Sequence, residues 1–172
     1  MANLFTSVDK FQTYRENLKS PSIGLVPTMR NLHEGHLSLI RESLLNNETT
    51  IVTIFVNPKQ FGPNEDLGRY PRTFEADSAL LESLGVDGIF APGPDDIYPK
   101  GGSAITFDIH GLADRLCGTS RPGHMNGVVQ VVNALINIVQ PHNAYFGLKD
   151  YQQFRILDTM AREFHLPVNI VG

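Results

Sequence analysis

Apolar residues along this chain follow two spacings that take turns. One is a compact run of β-branched and aliphatic residues, and the other is a recurrence every three or four positions. Val8, Phe11, Tyr14 and Leu18 have the second spacing and predict a helix that Ser7 can cap and Ser20-Pro21 ends. Ile23 to Val26 is a short run of strand type, followed by helical recurrence at Leu37, Ile40 and Leu44 up to Asn46-Asn47. Thr50 to Val56 is nearly continuous in its apolarity, as a parallel strand covered on both faces should be. Ala76, Leu80, Leu81 and Leu84 predict a third helix, capped by Thr73 and closed by Gly85, before a strand over Val86 to Ala91. Ile105 to Ile109 alternates and predicts an edge strand with one wet face, and His110 to Cys117 a short helix. A long helix buries Val128, Val131, Val132, Leu135, Ile136 and Val139, and a strand follows over His142 to Phe146. The last helix carries Phe154, Leu157, Met160 or Ala161, and Phe164, ends at Pro167, and leads into a strand at Val168 to Val171.

Strands that alternate with helices make βαβ units with right-handed crossovers, so the fold class is α/β. The expectation is a Rossmann-like parallel sheet with helices on both faces, forming one domain over residues 1–172. Such sheets bind ligands at the carboxyl ends of their strands. Two strand-to-helix turns there carry chemistry. The first, Met29-Arg30-Asn31-Leu32-His33-Glu34-Gly35-His36, opens the second helix, where unpaired N–H groups and the helix dipole favour phosphate. Its histidines suit proton donation to oxygens that gain charge, although capping or surface roles are the plain alternative for such a pair. Their i, i+3 spacing departs from the i, i+4 spacing of zinc-binding His-Glu-x-x-His, so no metal ligand is expected. The second turn, Gly147-Leu148-Lys149-Asp150, offers a glycine for close backbone approach, a cation for phosphate and a carboxylate for ribose hydroxyls.

Residues 57–72 are broken by Pro58, Gly62, Pro63, Gly68 and Pro71 into a long loop, a kind that is usually functional. Asn57 and Gln60 could meet a hydroxy acid, and Lys59, Arg69 and Arg72 could meet its carboxylate or stay solvated. A further polar loop at Thr119 to His124 opens the long helix; there Arg121 is the candidate ligand, and His124 is expected to order the site.

Composition narrows the classes. With 14 Lys and Arg against 18 Asp and Glu, the chain is mildly acidic and lacks a basic run, which argues against nucleic acid. The single cysteine, Cys117, excludes an internal disulfide, the start of the chain lacks a signal-peptide core, and no apolar segment reaches the length of a bilayer span, so a cytoplasmic location is expected.

Four stretches in register carry a resemblance. Pro27-Thr28-Met29 with His33-x-x-His36, Phe55 to Gly62, Ser120 to His124 and Tyr145 to Gln153 resemble the pantothenate synthetase (pantoate–β-alanine ligase) family, within the nucleotidylyltransferases that share a His-x-Gly-His motif. The resemblance implies that ATP, carried with Mg2+, activates pantoate as an adenylate, and that β-alanine then displaces AMP. It implies catalytic roles for His36, His33 and Lys149, ATP contacts from residues 29–36 and 147–150, and pantoate or β-alanine contacts from Gln60, Gln153 and Asn57. A homodimer is also implied. Two positions depart from the family pattern: Arg30-Asn31 stands in place of Gly-Ala, and Leu148 in place of Glu. The family continues into a smaller carboxyl-terminal lid domain, so this chain is expected to be the nucleotide- and pantoate-binding domain alone. A nucleotide-binding module without turnover, or a different nucleotidylyltransferase, is the alternative.

Overall fold

The computed structural model describes residues 2–61, 73–98, 105–111 and 123–172. Six strands form one sheet: β1 (Asn3–Phe5), β2 (Ile23–Thr28), β3 (Thr49–Ile54), β4 (Gly88–Phe90), β5 (Asn143–Tyr145) and β6 (Asn169–Val171). Their order is β1-β4-β3-β2-β5-β6, and every pairing is parallel. The helices are α1 (Val8–Asn17), α2 (Glu34–Asn46), α3 (Phe74–Leu84), the single turn α4 (Pro94–Ile97), α5 (His124–Val139) and α6 (Tyr151–Glu163). The Rossmann-like α/β expectation is borne out.

Alternate residues of the central strands serve opposite faces. Leu25, Ile51 and Phe90 pack with Phe11 of α1 and with the apolar stripe of α5, while Val26, Val52 and Ile89 pack with Ile40 of α2 and Leu81 of α3. This explains why β3 reads as an unbroken apolar run: all of its residues are buried.

From β2 the sheet grows one way through β3 and β4 and the other way through β5 and β6. The carboxyl ends of β2 and β5 therefore lie side by side, in register Leu25 to Ala144, at the point where the strand order reverses. Both polar turns leave the sheet at that crevice.

Three local expectations change. The strand β1 has no counterpart among the expected elements, because a three-residue segment has no readable period; it pairs with β4 at the sheet edge. The expected edge strand over Ile105 to Ile109 does not form a ladder. Phe107 and Ile109 pack against the core, which satisfies the alternation without strand pairing, and the Ile105 carbonyl accepts from Gln130 Nε2 at 2.9 Å. Ser7 and Thr73 stand at their helix starts without making a side-chain cap to them. Most of the short helix expected over His110 to Cys117 lies outside the described residues. Among the described residues, no helix is long and apolar enough to cross a membrane.

Candidate active site

The turn after β2 is built largely from hydrogen bonds to its own backbone. His33 is the N-cap of α2, and its Nδ1 accepts from the Gly35 N–H at 3.1 Å, while His36 Nδ1 accepts from the His33 N–H at 3.4 Å. With both Nδ1 atoms accepting, each neutral imidazole carries its proton on Nε2, as a donor free of the helix start. The two rings stack 4.1 Å apart, tilted by 41°. Burial and the neighbouring His33 lower the pKa of His36, and Asp77 partly opposes them. Near neutral pH His36 is therefore a neutral hydrogen-bond donor that gains a proton only under acid conditions or beside new negative charge.

Ahead of the histidines the backbone turns sharply. Arg30 has φ 150° and Asn31 φ 55°, both on the side of conformational space that favours glycine. The turn is held from α3. Asp77 Oδ2 accepts from the Asn31 N–H at 2.8 Å, its Oδ1 from the Leu32 N–H at 3.0 Å, and Thr73 Oγ1 accepts from the Asn31 N–H at 3.0 Å. Thr73 in turn donates to Asp77 Oδ2 at 2.7 Å. No motif in the sequence points to Asp77. The available signal is its place on the buried stripe of α3, between Phe74 and Leu81, where a charge demands partners. The expectation that open helix amides would meet phosphate also changes, since the amides of Asn31 to His33 and of Gly35 to Leu37 have protein acceptors. On the cavity wall His36 keeps its Nε2 as a donor, beside the Arg30 guanidinium. Glu34, at the outer end of the turn, pairs with Arg41 of its own helix.

A cavity of about 200 Å³ opens beside this turn. Met29, Arg30, His36, Gln60, Asp150 and Gln153 reach its wall, and Phe55, Val128, Val132, Leu135 and Phe146 supply an apolar floor. Three separate segments of the sequence thus contribute polar groups to one small space. Arg30 Nε is buried there without a hydrogen-bond partner among the described residues.

Gln60 is placed by a 3-10 turn at Pro58–Gln60, whose own anchor is Asn57. Asn57 is fully buried and donates to Gln60 Oε1 at 2.9 Å and to the Gly127 carbonyl at 3.0 Å. Its Oδ1 accepts from the Lys59 N–H at 3.2 Å and from the Tyr98 hydroxyl at 2.7 Å. All four of its hydrogen-bonding positions are engaged, so the structure places it behind Gln60 and not on the cavity wall. Tyr98 is a second residue that sequence reasoning misses. Burial pushes its hydroxyl up to about 12, which keeps it a donor to Asn57. Lys59 Nζ lies 4.5 Å above the Tyr98 ring and donates to Gln130 Oε1. Gly127 lets α5 touch this turn directly: a Cβ there would stand 2.3 Å from the Lys59 carbonyl oxygen. His124 Nδ1 meets the Gln60 carbonyl at 2.9 Å, in the ordering position expected of it.

The turn after β5 is a 3-10 turn, Leu148–Asp150, and Gly147 through Asp150 are all exposed. A Cβ on Gly147 would meet nothing within 4 Å. Asp150 and, one helical turn on, Gln153 reach the cavity wall, whereas Lys149 and His33 lie outside it. Arg69, Arg72 and Arg121 lie outside the described residues. No group of three or more His, Cys, Asp or Glu side chains among the described residues is placed to hold a metal ion.

The profile of the pantoate-beta-alanine ligase family matches residues 3–172. A pantothenate synthetase of Alcanivorax borkumensis is 53% identical over 154 residues, which is 90% of this chain and 54% of that protein. One from Staphylococcus haemolyticus is 47% identical across 100% of this chain and 61% of its own length. Among solved structures, pantoate-beta-alanine ligase of Francisella tularensis, complexed with beta-gamma ATP and beta-alanine, superposes with a TM-score of 0.95 at 39% identity, covering 99% of this chain and 66% of that one. The pantothenate synthetase of Thermus thermophilus gives 0.92 at 44% identity, over 99% and 60% of the two chains. The chain thus spans a little over half the length of the curated relatives it matches. With matching sequence and fold over nearly all of its residues, the chain belongs to the pantoate-beta-alanine ligase family.

Proposed function

We propose that this chain is the nucleotide- and pantoate-binding part of an ATP-dependent ligase that joins pantoate to β-alanine through a pantoyl adenylate. The observation that carries the reading is the convergence of His36, Gln60, Asp150 and Gln153 on one cavity at the β2/β5 crevice. In the first step a pantoate carboxylate oxygen attacks the α-phosphorus of ATP, and the bond to the β-phosphate bridging oxygen breaks to release pyrophosphate. In the second, the β-alanine amine attacks the acyl carbon and AMP leaves with the former carboxylate oxygen. His36 and His33 donate Nε2–H bonds to phosphoryl oxygens as charge moves onto them, and Lys149 adds a cation from the facing turn. Residues 29–36 and 147–150 border the nucleotide, with Asp150 toward ribose hydroxyls. Gln60 and Gln153 orient pantoate, and Asn57 holds Gln60. Mg2+ would arrive on the phosphates and would neutralise part of their charge; among the described residues no acidic cluster is placed to hold it separately. A cytoplasmic homodimer completes the proposal, with sedimentation as the test of the dimer.

Pantoate-dependent release of pyrophosphate from ATP, followed by β-alanine-dependent release of AMP, tests the reaction. The exposed turn after β5 favours a second reading for this length of chain, binding without turnover. ATP binding by calorimetry with no pyrophosphate release would select it.

A further inference from the structure

Among the described residues, Asp77 is the only acid that is buried, with 4% of its surface exposed. Removing a carboxylate from water is expensive unless hydrogen bonds offset it, and breaking such a set strands a charge. Asp77 does not spend its acceptors on the backbone of its own helix. Both oxygens turn outward to the backbone of another element, the Asn31 and Leu32 amides, and Thr73 supports it from the residue that begins the helix. Leu81 anchors α3 in the core without help from Asp77. The amides it grips belong to the stretch whose left-handed backbone sets where the chain enters α2, and so where both imidazoles point.

We propose that Thr73 and Asp77 are positioning residues for the nucleotide: they hold residues 30–32 in the bent form that aims His33 and His36 at the phosphates, without touching ligand themselves. The inference rests on the nucleotide reading above. It separates the two substrates, because Gln60 and Gln153, the groups assigned to pantoate, are held by the 58–60 turn and by α6, not by α3. A role confined to stability would weaken both ligands alike.

The test is calorimetric titration of the 172-residue chain, with ATP and with pantoate separately. Thr73→Val, which keeps shape but loses the hydroxyl, should raise the ATP Kd about fivefold, and Asp77→Asn, which turns an amide donor toward a backbone N–H, by about tenfold or more. Pantoate should bind within about twofold of the unsubstituted chain in both, and Thr73→Ser should restore ATP binding. If Asp77→Asn does not fold, the Thr73 pair decides. Unchanged ATP affinity, or equal weakening of both ligands, overturns the inference. Failure of the unsubstituted chain to bind ATP overturns the nucleotide reading itself.

Discussion

The two turns at the crevice do comparable work in opposite ways. After β2, the backbone amides of Asn31, Leu32, His33 and Gly35 are pinned by a buried carboxylate, a threonine and two imidazoles before any ligand arrives. After β5, a short 3-10 turn stands exposed, with no side-chain cap, and Leu148 is half open to solvent. The first turn is preorganised, so its groups lose little freedom when charge develops on a phosphate. The exposed side chains of Lys149 and Asp150 have no such scaffold, so if they meet a ligand, fixing them costs conformational entropy that the first turn does not incur.

The largest effect that would break this contrast concerns His36. In a chain of full family length, His36→Ala should slow adenylate formation by about 10²–10⁴-fold, the range for one positioned donor or charge stabiliser. Rapid-quench measurement of the adenylate checks it, and retention of about a third of the rate would remove His36 from the mechanism.

Next is Gly147→Ala, the probe of the bare turn. A Cβ meets no protein atom there, so thermal stability should stay within about 0.5 kcal/mol while the ATP Kd rises about tenfold as the approach to the ligand closes. A loss of stability without a loss of affinity would mean that the glycine serves the fold alone.

Arg30→Gly sharpens the picture of the pinned turn. The arginine holds a positive φ and a buried, unpartnered Nε, so the substitution should stabilise the chain by about 1 kcal/mol, after allowing for glycine's greater unfolded-state freedom. Denaturant melts report that term. The ATP Kd should change by less than about tenfold, since Arg30 as a whole is only half-buried and its attraction for an anion is screened. A change of about a hundredfold would make Arg30 a direct phosphate ligand.

The smallest effect is on pH dependence. His36 has a lowered pKa, so between its unfolded value near 6.5 and its folded value the unfolded chain binds more protons. Stability from this group is present above that window and falls as the pH drops through it. His36→Gln should therefore lose less stability than the parent chain between about pH 7.5 and 5.5, as read by paired melts.

The same contrast governs what can be read from residues alone. The central strands are legible because burial on both faces forces an unbroken β-branched run, as in Thr50 to Ile54. The motif turns are legible because they stand directly after buried-type strands, at the sheet end where α/β folds bind ligands. Asp77 is not, since an acid in the first turn of a helix is ordinary, and only the fold shows that this one faces another element. Asn57 reads as a ligand because its residue type suits one; its four partners come from three regions of the chain. Ile105 to Ile109 keeps the alternation of a strand, but alternation records which side is wet and does not record a hydrogen-bonding neighbour.

The placement of β2 next to β5 has a kinetic side. The partners of β2 on that edge lie 119 positions further along the chain, whereas β3 follows after a single helix. During synthesis, β1 through β4 can assemble while the inner edge of β2 still lacks its neighbour, and that open edge invites pairing with another chain. The crevice comes into being only when β5 arrives, so ligand binding reports the joining of β5 to β2. A ligand that fits the cavity should raise the yield of refolding by capturing chains once that long-range pairing has formed.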